Sequence, residues 1–119
     1  MNIIIQATGL DLTSSIREYI ESKIGSLDKF ISKKFEEKGE IKVEIEIARL
    51  TKHHRQGDVF YAEANIHLPR KILRAEHSDW DVRVAIDKVK DKLQQEIKKY
   101  KEVMTAVSKK KGTEIRGKK

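Results

Sequence analysis

The chain has 119 residues, of which 38% are apolar and 38% charged, with no cysteine and a formal net charge of +7. That length fits one domain built on one core, and the apolar fraction suits a thin two-layer architecture. The lack of cysteine excludes disulfides and thiolate metal sites, and the basic excess favours a polyanionic partner, either nucleic acid or an anionic membrane.

The opening MNIIIQATGLDL lacks the basic segment and small-residue cleavage site of a signal peptide. No apolar run approaches the roughly 20 residues that a membrane-spanning helix needs. The expected location is cytoplasmic, with no membrane partner. Residues 2–8, NIIIQAT, are β-branched and too short for a helix, so they predict a strand ending at Gly9. A helix follows over about 13–36. Its stripe is Ile16, Ile20, Ile24, Leu27, Ile31 and Phe35, with Tyr19 and Phe30 at the edge. Thr13 and the Ser15–Glu18 pair both fit an N-terminal cap. Gly25 lies inside this stretch, where glycine costs about 1 kcal/mol relative to alanine.

Lys38-Gly39 turns the chain into EIKVEIEIARL, which alternates with period two. Ile41, Val43, Ile45 and Ile47 are expected inward; Lys42, Glu44, Glu46 and Ala48 outward. The polar stretch 51–58, TKHHRQGD, predicts a hairpin loop. The partner strand runs from Val59 to Leu68, with Phe60, Ala62, Ala64, Ile66 and Leu68 inward, and it stops at Pro69. A short strand, KILRAEH, leads into a second helix over about 79–104. Val82, Ile86, Val89, Leu93, Ile97, Tyr100 and Met104 form its apolar stripe. Lys88, Lys92 and Lys99 lie along one flank, and Arg83, Lys90 and Lys101 along the other. Ser78 with Asp81 fits a capping box.

The order β-α-β-β-β-α predicts an α+β two-layer sandwich. An antiparallel four-stranded sheet with both helices packed on one face buries every apolar stripe named above. Residues 1–104 form the expected domain. Residues 105–119 carry six basic residues against Glu114, a net +5, which leaves +2 for the rest of the chain. They predict a basic, flexible tail.

That strand order, the hairpin TKHHRQGDVFYAEANIHLP and the motif AID-x-x-x-DKL-x-x-E-I-KKYK at 85–101 resemble the ribosome hibernation promoting factors, also called ribosome-associated translation inhibitors. The resemblance covers about residues 2–104, and a chain ending at 119 resembles the short, single-domain type. It implies a protein that binds the small ribosomal subunit and its ribosomal RNA in the channel for messenger and transfer RNA. Idle ribosomes are thereby silenced and preserved, a stress response with no cofactor and no small-molecule substrate.

On the matching motif, the implied RNA-contacting residues are Lys92, Lys98, Lys99 and Lys101, and helical geometry adds Lys88 and Lys90. Arg83 stands where the family often has an aromatic residue, and it adds a phosphate contact; Glu96 stands where a glutamine is usual. Lysines three, four and seven apart on a rigid helix address several phosphates at once. Arg49, Lys52, His53, His54 and Arg55 form a second basic cluster on the hairpin, and Arg70, Lys71 and Arg74 extend it near the last turn. The histidines add charge below about pH 6.5. Tyr61, on the open face, either pairs across strands or stacks on a base.

Enzyme chemistry is not expected. No glycine-rich phosphate loop or G-x-S-x-G motif occurs, and His53-His54 lacks a third metal ligand at suitable spacing. Two other readings fit the same pattern: a generic double-stranded-RNA-binding module, and a regulatory protein that docks on an acidic partner through its basic tail.

Overall fold

A computed structural model describes residues 1–31, 39–50 and 58–117, with side chains through residue 104. The elements are β1 (Asn2–Thr8), α1 (Ser14–Gly25), a 3-10 turn (Ser26–Phe30), β2 (Lys42–Leu50), β3 (Val59–Leu68), β4 (Lys71–Asp79) and α2 (Val82–Gly117). The four strands form one sheet in the order β1-β2-β3-β4.

The sheet is mixed, which corrects the antiparallel expectation. β1 runs parallel to β2, pairing Asn2 with Lys42 through Thr8 with Ala48. A strand whose chain crosses the sheet in a single helix and returns to the neighbouring position must re-enter in the same direction. The β2–β3 and β3–β4 pairs are antiparallel, as hairpins require. Gly9 makes the turn after β1 at φ 75°, and a Cβ there would lie 3.1 Å from the Arg49 carbonyl oxygen.

Period-two burial holds along the hairpin. Ile41, Val43, Ile45, Ile47, Ala62, Ala64, Ile66 and Leu68 are all buried. Against this face pack Ile20, Ile24 and Leu27 from the first helical stretch, and Ile86, Val89, Leu93 and Ile97 from α2. α2 lies over β3 and β4 and touches α1, so both helices occupy one side of the sheet. Every buried side chain among the described residues is apolar or aromatic.

Three helix boundaries differ from expectation. α1 closes at Gly25 and continues only as a 3-10 turn to Phe30, after which Ile31 is extended. The Ser26 hydroxyl donates to the Lys23 carbonyl at 2.6 Å and satisfies one of the acceptors left over at a helix end. Phe35 lies outside the described residues. At the other end, Thr13 accepts from the Ile16 amide at 3.2 Å and is the cap.

α2 begins at Val82 rather than 79, because Ser78 belongs to β4 and pairs with Tyr61. Its cap is Asp81, which accepts from the Arg83 amide at 2.8 Å and whose carbonyl takes the Ala85 amide at 3.0 Å. α2 also runs past 104 to Gly117. Tyr100, 9% exposed, is the last buried residue among its described side chains, and Met104 is 44% exposed where the stripe predicted burial.

Candidate nucleic-acid interface

α2 presents its polar surface in two differently employed rows. Lys88, Lys92 and Lys99 fall on one line of the helix and are all exposed; Lys98 is exposed as well. Lys92 does not project freely, because its ammonium donates to the Glu76 carbonyl of β4 at 2.7 Å. β4 is an edge strand, so this lysine covers a backbone acceptor that would otherwise face an open sheet edge. Beside it, Arg74, Ala75, Glu76, Lys92, Gln95 and Glu96 line an open groove between β4 and α2. Its charges are mixed.

The other row, Arg83, Lys90 and Lys101, lies toward α1. Lys90 donates to Gln94 at 2.8 Å, a neutral partner. Arg83 reaches α1 itself: it donates to Ser15 Oγ at 2.6 Å and stacks 4.9 Å from the Tyr19 ring centroid. The Tyr19 hydroxyl donates to Asp87 Oδ1 at 2.6 Å. Lys23 lies 3.8 Å from the same carboxylate oxygen and 5.6 Å from the same ring. The bond to Asp87, then burial, push the Tyr19 phenol up to about 12. Neither Tyr19 nor Lys23 stands out in the sequence as a functional residue. The available signal is a tyrosine at the edge of an apolar stripe, whose hydroxyl needs a partner once half-buried.

The secondary basic residues divide. Lys52, His53, His54 and Arg55 lie outside the described residues. Arg49 is exposed at the end of β2 and pairs with Asp58 at 3.6 Å. Arg70 and Lys71 are exposed at the turn into β4. Arg74 points to the open sheet face, away from the helices. It lies 3.3 Å from Glu63 and 3.2 Å from Glu76, so two carboxylates compensate its charge.

That open face is acidic. Glu44, Glu46, Glu63 and Glu76 occupy it against Lys42 and Arg74. Tyr61 has Glu63 Oε2 at 2.7 Å and Glu76 Oε2 at 2.6 Å from its hydroxyl. It therefore pairs across strands, the first of its two expected roles. A phenol has one proton, so it serves one carboxylate at a time while Arg74 supplies further donors. Burial, then these two bonds, push the phenol's titration up, and Glu76 is held below the usual carboxylate range by Tyr61 first and Arg74 second. Glu44 is lowered likewise, chiefly by its 2.5 Å bond with His67. Phosphate is therefore favoured on the helix side and disfavoured on the sheet side.

Among the described residues, no three histidines, aspartates or glutamates gather as a metal site. No helix there is long and apolar enough to cross a membrane.

A protein-family model described as Sigma 54 modulation protein / S30EA ribosomal protein matches residues 3–105. The chain is 32% identical over 97 residues to a ribosome hibernation promotion factor of Lactococcus lactis subsp. cremoris, covering 82% of this chain and 48% of that protein. It is 29% identical over 103 residues to one from Picosynechococcus sp., covering 86% and 50%. The chain thus spans about half the length of these curated relatives. Among solved structures, the N-terminal domain of Thermus thermophilus Protein Y aligns with a TM-score of 0.68 at 29% identity, covering 84% of this chain and 99% of that one. A ribosomal subunit interface protein from Coxiella burnetii aligns with a TM-score of 0.66 at 23% identity, covering 85% and 98%, a likeness of fold.

Proposed function

The chain belongs to the Sigma 54 modulation protein / S30EA ribosomal protein family, whose model spans residues 3–105, and on that footing we propose that it is a ribosome hibernation factor. It binds the small ribosomal subunit in the channel used by messenger and transfer RNA, with the basic face of α2 against ribosomal RNA. Occupancy excludes the channel's ordinary ligands, so inhibition is steric and involves no bond making. The observation that carries this reading is the exposure of Lys88, Lys98 and Lys99 on a helix anchored by Ile86, Val89, Leu93 and Ile97, all at most 2% exposed.

A helix fixed along its buried side presents its cations without a folding cost on binding. Each phosphate neutralised releases counterion, so affinity falls steeply with salt. Such contacts position a protein and carry little sequence information, which suits recognition of an RNA channel by shape.

The test is sucrose-gradient sedimentation with vacant small subunits across a salt series, with bare duplex RNA as competitor. Binding at low salt that duplex RNA does not displace supports the proposal. Free sedimentation at every ionic strength refutes it, and displacement by duplex RNA favours a generic double-stranded-RNA module.

A further inference from the structure

The two edges of the sheet are finished differently. β4 carries Lys71, Arg74, Glu76 and Asp79, and Lys92 closes its Glu76 carbonyl at 2.7 Å. Charges of this kind guard an exposed edge against pairing. β1, the other edge, is NIIIQAT, with no charge and no proline, and its register with β2 runs unbroken from Asn2 to Thr8.

The outward groups of β1 follow from one bond. The Asn2 amide donates to the Ile41 carbonyl at 2.7 Å, so the main chain of Asn2 faces β2. Main-chain groups alternate in direction along a strand. Ile4, Gln6 and Thr8 therefore face β2 as well, and the N–H and C=O of Ile3, Ile5 and Ala7 point away from the sheet. Among the described residues, no backbone bond outside the sheet reaches those three. Their side chains lie on the helix side and are only half-buried, whereas their β2 partners Val43, Ile45 and Ile47 are buried. On the opposite face Ile4 is 45% exposed, and with Gln6 it borders an open groove lined also by Glu44, Glu46 and Glu63. Glu44 already has Lys42 and His67 as partners, and Glu63 has Arg74. Glu46 stands directly opposite Glu63, a like-charge pair, and among the described residues it has no ion pair of its own.

We propose that the outer edge of β1 docks an extended, lysine- or arginine-bearing segment of another protein, which adds to the sheet as a fifth strand. The outward groups of Ile3, Ile5 and Ala7 supply the ladder. Every second side chain of the added strand falls beside those three and completes their apolar cover. The alternate side chains fall beside Ile4 and Gln6, about 10 Å from the β2 glutamates, which is two strand spacings. A lysine or arginine there reaches across to Glu46 and supplies the cation it lacks; an acidic segment meets repulsion. A second copy of this chain fits less well, because its own β1 is uncharged and brings nothing to Glu46. β2 separates this edge from β3 and β4, which α2 covers, so docking here leaves the basic helix face open.

The experiment reads amide hydrogen exchange of the whole chain by NMR at about 0.1 M salt. Two acetylated, amidated heptapeptides serve as probes, one alternating lysine with valine and one alternating glutamate with valine. In the free protein the Ile3, Ile5 and Ala7 amides are expected to exchange fast, and those of Ile4 and Gln6 slowly. At saturation the lysine peptide slows the first three by about tenfold or more, and the glutamate peptide leaves them unchanged. Glu46→Gln removes one exposed ion pair and weakens the lysine peptide by up to about fivefold. That deficit fades at about 0.5 M salt. Ile5→Pro removes an outward N–H, spares the β2 ladder, and abolishes the protection of Ile3 and Ala7.

No protection by the lysine peptide, or equal protection by both peptides, overturns the proposal. So does protection in the free protein that grows with its concentration, which assigns the edge to a second copy.

Discussion

Reversing the charge of the exposed row tests whether α2 is the contact surface. Lys88, Lys92 and Lys99 lie on one line of the helix, and all three are exposed. From Lys88 to Lys99 the helix rises about 16 Å at 1.5 Å per residue, enough to reach several phosphates. If each lysine neutralises one phosphate of unpaired RNA, the triple variant Lys88→Glu, Lys92→Glu, Lys99→Glu loses about 2 units of salt slope. Near 0.1 M salt that is about a hundredfold weaker binding, before any added repulsion.

Folding should change little. Exposed substitutions away from special contacts stay within about 0.5 kcal/mol. The lost bond from Lys92 to the Glu76 carbonyl adds about 0.5–1.5 kcal/mol, a fall in melting temperature of roughly 2–6 °C. The assay is co-sedimentation with vacant small subunits at several salt concentrations, beside thermal unfolding of the free protein. A folded triple variant that sediments with subunits at wild-type levels and with the wild-type slope refutes the reasoning.

Three more outcomes are expected. Deleting residues 105–119 removes a net charge of +5 yet leaves salt-sensitive subunit binding; complete loss in sedimentation would transfer the contact from helix to tail. Ile86→Ala empties a position that is 0% exposed, and should destabilise the fold by about 2–5 kcal/mol in urea unfolding. The Tyr19 phenol ionises near 12 in the fold against an ordinary 10.0. Its contribution to stability is thus complete below pH 10 and is lost as pH rises toward 12. The stability gap between wild type and Tyr19→Phe narrows over that window, and the variant lacks the late phenolate absorbance step.

Much of the fold was legible because the periodicities are clean. Ile41 to Ile47 and Ala62 to Leu68 alternate without error, and the α2 stripe is buried from Ile86 to Tyr100. What escaped were features decided by distant residues. The parallel β1–β2 pairing depends on where the α1 connection returns the chain, which no local window encodes. Ser78-x-x-Asp81 looks like a cap until β3 claims Ser78 for the sheet. Met104 continues the stripe in sequence, but it is 44% exposed in the fold.

The basic residues show the same division. Positive charge along α2 is evident from sequence, but its availability is not. Lys92 spends its ammonium on a carbonyl 16 positions back, and Arg83 finds Ser15 68 positions away. Tyr19 and Asp87 are also 68 apart, so although Asp87 lies in the helix motif, its bond to Tyr19 is not legible there.

The glutamates of the open sheet face have a consequence for how the molecule arrives. With Glu44, Glu46, Glu63 and Glu76 on one side and the lysines of α2 on the other, the protein is an electric dipole as well as a cation. In the field of a polyanion it experiences torque before it experiences touch. Encounters should begin already turned helix-first, which shortens the rotational search and leaves a negatively charged back toward any RNA strand that approaches later.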